Sequence, residues 1–351
     1  MSKPNIVIIG AGLTGLATAY FLQKKGIEFV VLEANDSIGG RIETIIGSHG
    51  ATMEMGATWF GRQHPHLIQL LDELKLEYFK QYTQGISLFE TMSFVPPQKF
   101  EIPDSEEPSY RIVGGTKILI EKLVSQVGLQ NIKTQTKVIS IKEIGNQLEL
   151  TDSIGNCFLA SKVISTLPPN LLVQTIQFEP NLPESFIQLG KETHTWMGES
   201  IKFAVEYANP FWRENGFSGT LFSQVGIINE MYDHSTYDTT GFALKGFLNG
   251  GTNILSKEDR KAKVIAQLIK GFGPAAADYV GYHEKVWRDD PLVFYPYETL
   301  VMGHQNNGHA LYKNALLNEK LYISGSETAS ENPGYMDGAI VAAKTIVSKF
   351  Q

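Results

Sequence analysis

Cysteine is almost absent from this sequence, and its scarcity excludes two kinds of stabilisation. The 351 residues include one cysteine, Cys157, so the chain cannot form an internal disulfide or a cysteine-rich metal site. Eight histidines remain as candidate metal ligands. The tightest pair, His64 and His66, has no carboxylate or third histidine at a matching spacing, so we predict no metal site.

Long hydrophobic runs are also missing, although the N-terminus imitates one. The stretch Ile6–Leu22 contains no charged residue, and residues 17–19 imitate a signal-peptidase site. However, Gly10, Gly12 and Gly15 interrupt the stretch, which is too short and too rich in glycine to span a membrane. We therefore expect no membrane anchor and a protein of a reducing compartment, the cytoplasm.

Basic residues are outnumbered, which disfavours polyanionic partners. The chain has 30 Lys and Arg against 37 Asp and Glu, a net charge of −7, so neither nucleic acid nor an anionic membrane surface is expected as the main partner. Hydrophobic residues make up 42% and charged residues 19%, which is typical of a globular protein. The length suggests two domains.

The interrupted N-terminal stretch has the pattern of a dinucleotide site. A strand is predicted at Asn5–Ile9, a helix at Thr14–Lys25 and a second strand at Glu28–Glu33. Gly10–Gly15 (GAGLTG) lies between the first strand and the helix and fits G-x-G-x-x-G. Such glycines permit a tight turn, close approach to a pyrophosphate and helix–strand contact, while the helix N-terminus offers N–H groups to phosphates.

Two further features support a dinucleotide without identifying it. Glu33 ends the second strand, where a carboxylate accepts hydrogen bonds from an adenosine ribose. Gly39, Gly40 and Arg41 follow in a short loop. Two glycines that allow close approach of the backbone, together with a fixed cationic fork, suit a pyrophosphate, although an ordinary surface turn could have the same residues.

The remaining pattern alternates helices and strands. Residues Gln84–Ser109 contain four prolines and predict short strands and loops at a domain boundary. Helices are predicted at Leu67–Leu76, Lys117–Val127, Lys257–Gly271 and Tyr335–Phe350, and strands at Lys137–Ile141, Gln147–Thr151, Lys162–Ser165, Ser200–Tyr207 and Leu321–Ser324.

Several segments together resemble the flavin-containing amine oxidase family, which includes monoamine oxidases, polyamine oxidases and flavin-dependent lysine demethylases. Besides the N-terminal motifs, they are Glu54–Phe60 (EMGATWF), Gly114-Gly115, Met197–Trp212 (MGESIKFAVEYANPFW) and Leu321–Ala343 (LYISGSETASENPGYMDGAIVAA). The resemblance implies FAD and an α/β fold, with a doubly wound, Rossmann-type FAD-binding domain and an inserted, smaller α+β substrate domain. We expect residues 1–80, 111–170 and 296–351 in the first domain, and 81–110 and 171–295 in the second.

The resemblance also implies the cofactor contacts. Glu327 would meet a flavin ribityl hydroxyl, and the Met336 N–H would point at the flavin pyrimidine edge from a helix N-terminus. Val138 would touch adenine through its backbone, although an ordinary core valine explains it nearly as well. The implied cofactor-binding residues are Gly10, Gly12, Leu13, Thr14, Gly15, Glu33, Ala34, Gly39, Gly40, Arg41, Gly56, Ala57, Thr58, Trp59, Val138, Gly325, Glu327 and Met336.

Three residues carry the implied chemistry. Strand alternation alone makes Lys202 a solvated lysine on a polar face, whereas the resemblance implies that it holds a water against flavin N5. Tyr335 and Tyr297 resemble the two aromatics that stand before the flavin and guide the amine, although either could be a packing residue.

Two departures from the family pattern affect the expectations. Pro296 occupies the place of the cysteine that binds FAD covalently in some members, so we expect non-covalent FAD. Only 32 residues separate Tyr78 from Arg111, where relatives carry a longer helical insertion over the substrate cavity. Because this insertion, the lid of the substrate cavity, is shortened here, the resemblance does not predict the class of amine.

The sequence therefore predicts an FAD-dependent amine oxidase with an amine and oxygen as reactants. Hydride would pass from the amine-bearing carbon to flavin N5, the imine would hydrolyse, and oxygen would reoxidise the flavin to give hydrogen peroxide. The alternatives are a flavin desaturase or isomerase, a nicotinamide-linked dehydrogenase, and a catalytically silent FAD-binding protein.

Overall fold

A parallel sheet forms around the first strand because each of its residues is apolar. The computed structural model describes residues 6–103 and 106–350, so Asn5 of the predicted strand lies outside it. In β1 (Ile6–Ile9) all four residues are buried. Ile6 and Ile8 enter one hydrophobic core while Val7 and Ile9 enter another, as expected for a strand covered on both faces.

The chain contains eight α-helices and twenty strands within these described ranges. The helices are α1 (Leu13–Lys24), α2 (Pro65–Glu73), α3 (Lys117–Val127), α4 (Pro169–Thr175), α5 (Glu184–Lys191), α6 (Phe211–Glu214), α7 (Lys257–Phe272) and α8 (Met336–Val347). After β1, the strands are β2 (Phe29–Leu32), β3 (Thr44–Ile46), β4 (Thr52–Glu54), β5 (Tyr78–Lys80), β6 (Ile86–Glu90), β7 (Gln98–Glu101), β8 (Tyr110–Ile112), β9 (Ile132–Lys133), β10 (Val138–Ile144), β11 (Gln147–Asp152), β12 (Cys157–Ala160), β13 (Lys162–Ser165), β14 (Gln177–Glu179), β15 (Ile201–Tyr207), β16 (Phe217–Ser223), β17 (Ile228–Asp233), β18 (Phe242–Leu248), β19 (Tyr279–Val286) and β20 (Leu321–Ile323).

The sheet around β1 has five parallel strands in the order β20-β13-β1-β2-β9. Apolar residues of α1, α2, α3 and α8 form the core on one face. The other face packs on a four-stranded sheet of order β12-β11-β10-β14 and on α4 and α5. This layering confirms the α/β class, because helices and a second sheet cover the two apolar faces.

A second large sheet has seven strands in the order β19-β15-β18-β17-β16-β6-β7. Its core face packs against α7, which contributes Val264, Leu268 and Phe272. All strands of this sheet come from residues 86–101 and 201–286. By contrast, α4 and α5 follow residue 168 and pack on the core of the parallel sheet.

The segment between Tyr78 and Arg111 forms strands within its described residues. β5 and β8 pair antiparallel at its ends, and β6 and β7 form one edge of the seven-stranded sheet. The described residues of this connection contain no helix, so the short strands predicted from its prolines are confirmed. No helix in the described part of the chain is long and apolar enough to cross a membrane.

Candidate active site

One cavity brings together most of the residues that the sequence marked. Its volume is about 860 Å³, near the upper end of the roughly 300–1,000 Å³ typical of ligand cavities. The predicted residues that line it are Gly10, Gly12, Leu13, Thr14, Glu33, Ala34, Gly39, Gly40, Arg41, Gly56, Ala57, Thr58, Trp59, Val138, Lys202, Tyr335 and Met336. The lining residues do not include Gly15, Tyr297, Gly325 or Glu327.

Two positions of the glycine-rich turn, Gly10 and Gly15, leave no room for a side chain. A Cβ at Gly15 would lie 1.9 Å from the carbonyl oxygen of Gly10, and Gly10 itself has a φ of +99°. The Gly39 N–H donates to the Ala11 carbonyl at 3.1 Å, which fixes the second glycine loop beside the first. Two glycine-rich segments thus form one cradle of exposed backbone, as close contact with a pyrophosphate requires.

Glu33 is held at the end of β2 by the same turn. One carboxylate oxygen accepts from the Ala11 N–H at 2.7 Å and the other from the Asn35 N–H at 2.8 Å. Burial raises the pKa of Glu33, although these N–H groups oppose that effect. The carboxylate is therefore fixed in orientation at the cavity wall.

Arg41, which is half-buried, pairs with the fully buried Glu327 beside the cavity. Arg41 donates to both carboxylate oxygens of Glu327, to the Ser326 hydroxyl at 2.9 Å and to the Trp196 carbonyl at 3.1 Å. Burial by itself raises the pKa of Glu327, but the Arg41 charge and the hydrogen bonds to it lower the pKa below its ordinary value. Glu327 thus acts behind the wall, as an anion that orients Arg41.

The last helix begins at the cavity. Tyr335 is the N-cap of α8, and Met336, its first residue, lines the wall. Asp337 in the first turn is fully buried and accepts from the Leu67 N–H at 2.8 Å, which fixes the helix end against α2. A helix N-terminus carries a partial positive charge, so this end of the cavity favours a negatively charged group.

Together these groups fit FAD. The backbone cradle, the Glu33 carboxylate and the N-terminus of α8 supply the contacts that a dinucleotide needs at its pyrophosphate, its ribose and an electron-rich ring. Arg41 adds a cation whose position is fixed by Glu327.

Lys202 is buried, which differs from the solvated lysine that strand alternation predicts. β15 pairs with β18 and β19 along its two edges, and all seven of its residues are buried, so other parts of the chain cover both of its faces. The Lys202 ammonium donates to the Gly56 carbonyl and lies 4.8 Å from the ring centre of Phe247. Burial lowers its pKa to about 8, although the negative charges of Glu54 and Glu230 oppose the effect.

A second buried lysine was missed by the sequence analysis. Lys245 of β18 is 0% exposed. Its ammonium donates to the Thr58 hydroxyl at 2.7 Å and lies 3.9 Å from the ring centre of Trp59. Burial and then the charge of Lys202 lower its pKa well below the ordinary value. The only signal was its position two residues before Phe247, on the same face of a strand.

Glu54 lies behind these lysines and is fully enclosed. Its carboxylate accepts from the Thr116 N–H at 2.6 Å and from the Thr44 hydroxyl at 2.8 Å. Burial raises its pKa, against the effect of these hydrogen bonds. It therefore links β4 to the start of α3 rather than facing the cavity.

The aromatic side chains beside Tyr335 differ from those expected. The ring of Tyr335 lies 5.3 Å from that of Trp196 and 5.5 Å from that of His64, and all three line the cavity. The Tyr297 hydroxyl instead accepts from the Thr195 N–H at 2.7 Å. Trp196, which the sequence analysis did not mark, is thus the aromatic neighbour of Tyr335 in the lining.

The family model described as flavin-containing amine oxidoreductase matches residues 13–87 and 78–348. The chain belongs to this family. The two matched segments overlap at residues 78–87, at the start of the short connection between Tyr78 and Arg111. Among the described residues, no group of three or more His, Cys, Asp or Glu side chains could hold a metal ion.

Curated relatives cover nearly the whole chain of this family member. A probable flavin-containing monoamine oxidase A of Dictyostelium discoideum is 25% identical, over 96% of this chain and 95% of that protein. A flavin-containing amine oxidase B of Cavia porcellus is 23% identical, over 98% of this chain and 85% of that protein. Family membership makes the protein an amine oxidoreductase that uses a flavin.

Solved structures agree on the fold of the family. Putrescine oxidase bound to putrescine has a TM-score of 0.86, with 23% identity and 99% coverage of both chains. Cyclohexylamine oxidase of Brevibacterium oxydans also has a TM-score of 0.86, with 21% identity over 99% of this chain and 98% of that one. These two oxidases are named for different amines, so the fold alone does not select a substrate.

Proposed function

We propose that this protein is an FAD-dependent amine oxidase whose FAD is bound non-covalently. The observation that carries the proposal is the continuity of one cavity, which runs from the glycine cradle and Glu33 to the buried Lys202 and Tyr335. A dinucleotide cradle alone would fit many oxidoreductases, whereas a buried lysine facing the same cavity supports oxidase chemistry.

When bound, FAD would supply the oxidation, because its N5 could take a hydride from the amine-bearing carbon and its reduced form could pass two electrons to oxygen, which with two protons becomes hydrogen peroxide. The imine would then react with water to give a carbonyl compound and release the nitrogen as ammonia or an amine. Lys202 would place a cationic charge near the reduced ring, because its burial in the wall keeps that charge unscreened. Tyr335 and Trp196 would present aromatic faces to the amine. Tyr297 remains a proposed second aromatic of this site.

The residues that line the cavity also support an assignment of separate parts of the chain to FAD and to the substrate. We propose that residues 1–80, 111–170 and 296–351 bind FAD and that 81–110 and 171–295 form the substrate part. The first set contributes Glu33, Arg41 and Met336, and the second contributes Lys202 and Phe247. The shortened lid between Tyr78 and Arg111 belongs to the second set.

Non-covalent attachment is supported by the residues near the cavity. Cys157 begins β12 and is exposed, and it does not line the cavity. Acid precipitation of the yellow protein should therefore leave the flavin in the supernatant. Flavin that remains with the pellet would contradict this part of the proposal.

Anaerobic mixing with a panel of amines tests the function. Flavin absorbance near its visible maximum should bleach with at least one amine, and admission of oxygen should restore the colour and release peroxide. A protein that keeps its flavin oxidised with every amine would instead be a silent FAD-binding protein, and bleaching by a hydrocarbon skeleton without an amine would indicate a desaturase.

A further inference from the structure

A second cavity lies apart from the candidate active site. Its volume is about 230 Å³, and it shares no lining residue with the first cavity. Gly114 and Gly115, the glycine pair that the sequence analysis marked, form part of its wall with φ values of +77° and +98°. Since a water molecule occupies roughly 30 Å³, this volume suits a small ion with a few waters. We call it the Arg111 cavity, after the arginine in its wall.

Arg111 is a buried cation that forms no ion pair with any described residue. It is 6% exposed. Its Nη2 donates to the Ser235 carbonyl at 2.6 Å, its guanidinium carbon lies 4.7 Å from the ring centre of Phe79, and its Nε has no hydrogen-bond partner. A buried charge without an ion pair is unfavourable, and burial lowers the pKa of Arg111 to about 10. The wall of this cavity therefore holds a positive charge that lacks a counter-ion.

The carboxylates near Arg111 already have other partners. The charges of Asp233 and Glu54 both oppose the lowering of the Arg111 pKa. However, Asp233 accepts two hydrogen bonds from Arg213, at 2.6 and 2.8 Å, and Glu54 accepts hydrogen bonds from β3 and from the N-cap of α3. Asp238, which also lines the cavity, is exposed and accepts hydrogen bonds within its own turn. None of these groups is free to pair with the guanidinium.

Three buried polar atoms without a hydrogen-bond partner lie together at this place, and all three can donate. They are Arg111 Nε, His234 Nδ1 and the Ser235 hydroxyl. His234 accepts from the Glu54 N–H at 3.4 Å through Nε2, so its neutral ring carries the proton on Nδ1. Burial and then the charge of Arg111 lower the pKa of His234 well below its ordinary value, which keeps the ring neutral. Because buried donors are nearly always paired, this set fits a ligand that accepts hydrogen bonds.

An anion accounts for both the unpaired charge and the unpaired donors, whereas water accounts only for the donors. A water molecule could accept hydrogen bonds here, but it would leave the charge of Arg111 unbalanced. The oxygens of a carboxylate or phosphate group accept several hydrogen bonds at once and match the planar guanidinium fork. The chemistry of the wall therefore favours an oxyanion.

We propose that the Arg111 cavity binds a small oxyanion, a carboxylate or phosphate group, as the counter-ion of Arg111. This inference goes beyond the proposed function and does not depend on it, because the cavity lies outside the candidate active site. The two cavities are nevertheless close. The ring of His234, which lines the Arg111 cavity, lies 6.3 Å from that of Trp59, which lines the first cavity. The side chains of these two residues thus separate the oxyanion from the active site.

Calorimetric titration of the flavin-loaded protein with sodium phosphate and with sodium acetate tests the proposal, in a chloride buffer of constant ionic strength. The flavin must be loaded because the glycine cradle could otherwise bind phosphate itself. We expect one equivalent of at least one probe to bind. The same probe should raise the urea midpoint of the protein, since a ligand of the folded state stabilises it. The probe that binds more tightly identifies the oxyanion as a carboxylate or a phosphate group.

Three variants assign the binding to Arg111. Arg111→Met removes the charge and the donors, so the affinity should fall about tenfold or more, and without the probe the variant should be at least as stable as the parent because it buries no unpaired charge. Arg111→Lys keeps the charge without the fork and should bind with intermediate affinity. Arg62→Met removes an exposed arginine outside both cavities. It is the matched control and should keep the affinity of the parent.

The outcomes that overturn this inference leave amine oxidation untouched. One is that neither probe binds with a dissociation constant below about 20 mM. Another is equal affinity in the parent and Arg111→Met, which would place the anion elsewhere on the protein. A third is equal stabilisation by chloride, phosphate and acetate, which would exclude specific recognition of an oxyanion. Conversely, a flavin that no amine bleaches would contradict the proposed function without affecting the test of this cavity.

Discussion

The two ends of the cavity are built by different means. At the dinucleotide end, the wall includes backbone from two glycine-rich segments, and two of the charged side chains there, Glu33 and Arg41, are each fixed by two or more hydrogen bonds. At the other end, the wall includes side chains from several strands of one sheet, and it contains Lys202 and Glu230 without an ion pair between them. The first end excludes a side chain at Gly10 and Gly15, while we expect the second to tolerate changes of side chain that alter chemistry and selectivity.

The largest effect on flavin binding and stability should come from adding a side chain to the glycine-rich turn. A Cβ at Gly15 would lie 1.9 Å from a backbone oxygen that cannot move aside, so Gly15→Ala should lose the flavin and destabilise the protein by about 3 kcal/mol or more. Urea unfolding and the flavin content of the purified protein measure this. Gly250→Ala, where a Cβ meets nothing within 4 Å, is the control. Normal flavin retention in Gly15→Ala would mean that the turn adjusts.

The next effect distinguishes the two buried lysines. Lys202 lines the cavity and Lys245 does not, so Lys202→Met should slow flavin reoxidation about a hundredfold, near 3 kcal/mol. Lys245→Met should change the rate less than fivefold. Stopped-flow mixing of the reduced protein with oxygen gives both rates. If the parent and Lys202→Met reoxidise the flavin at equal rates, Lys202 has only a structural role.

Burial of Lys202 should also cost stability in a pH-dependent way. Its pKa is about 8 in the folded chain against 10.5 in the unfolded chain, so the folded state disfavours the proton and the cost is fully present below pH 8. Lys202→Met should therefore stabilise the flavin-free protein at pH 7, by about 2 kcal/mol after loss of the Gly56 hydrogen bond is subtracted. The gain should fade as pH rises from 8 to 10.5. Urea midpoints at pH 7 and pH 10 measure it, and a gain equal at both would contradict the assigned cause.

The smallest effect separates binding from chemistry. Glu33→Ala removes a carboxylate that faces the dinucleotide, so the affinity for FAD should fall about tenfold, near 1.4 kcal/mol. Tyr335→Ala should keep FAD and lose most amine-dependent bleaching, since Tyr335 is 37% exposed at the wall and caps α8 through its backbone. FAD titration of both deflavinated variants gives the affinities. If the two variants lose FAD affinity equally, Tyr335 is part of the cofactor site.

The shortened lid predicts weak binding of small amines. A wall without helices between Tyr78 and Arg111 buries less of a ligand, so simple monoamines should have Michaelis constants at or above about 1 mM, the upper end of the usual range. Steady-state oxygen consumption measures this. Micromolar constants would show that residues 216–251, which supply Glu230, Tyr232 and Phe247 to the wall, replace the missing roof.

The dinucleotide end was predictable from the sequence because glycine positions and short strand and helix patterns determine its backbone conformation. The helix at Lys117–Val127 and the strand at Lys162–Ser165 have the predicted bounds, and most glycines of the two loops line the cavity. A turn can be predicted from its glycines, because a positive φ or a close approach of two backbones excludes nearly every other residue.

The substrate end was less predictable because it depends on pairing between distant strands. Lys202 alternates with apolar residues as a surface lysine would, and it is buried because residues distant in sequence, including Gly56 and Phe247, lie against its side chain. Glu230 and Lys245 gave no local signal, since their common face arises from the register of β17, β18 and β15. Trp196 likewise reaches Tyr335 only through the tertiary fold.

The strand order of the parallel sheet has a consequence for synthesis of the chain. β1 pairs with β13, β13 pairs with β20, and α1 packs against α8, so the first strand acquires its full surroundings only when residues beyond 336 have been made. At about 5–20 residues per second, the ribosome needs roughly 15 to 65 s to cover that distance. Throughout this interval the apolar residues of β1 and α1 lack their final partners and are open to chaperones and proteases. Flavin therefore finds a complete site only after α8 has been made, and because a bound ligand stabilises the folded state by mass action, a supply of flavin at that stage favours the folded protein over the unfolded chain.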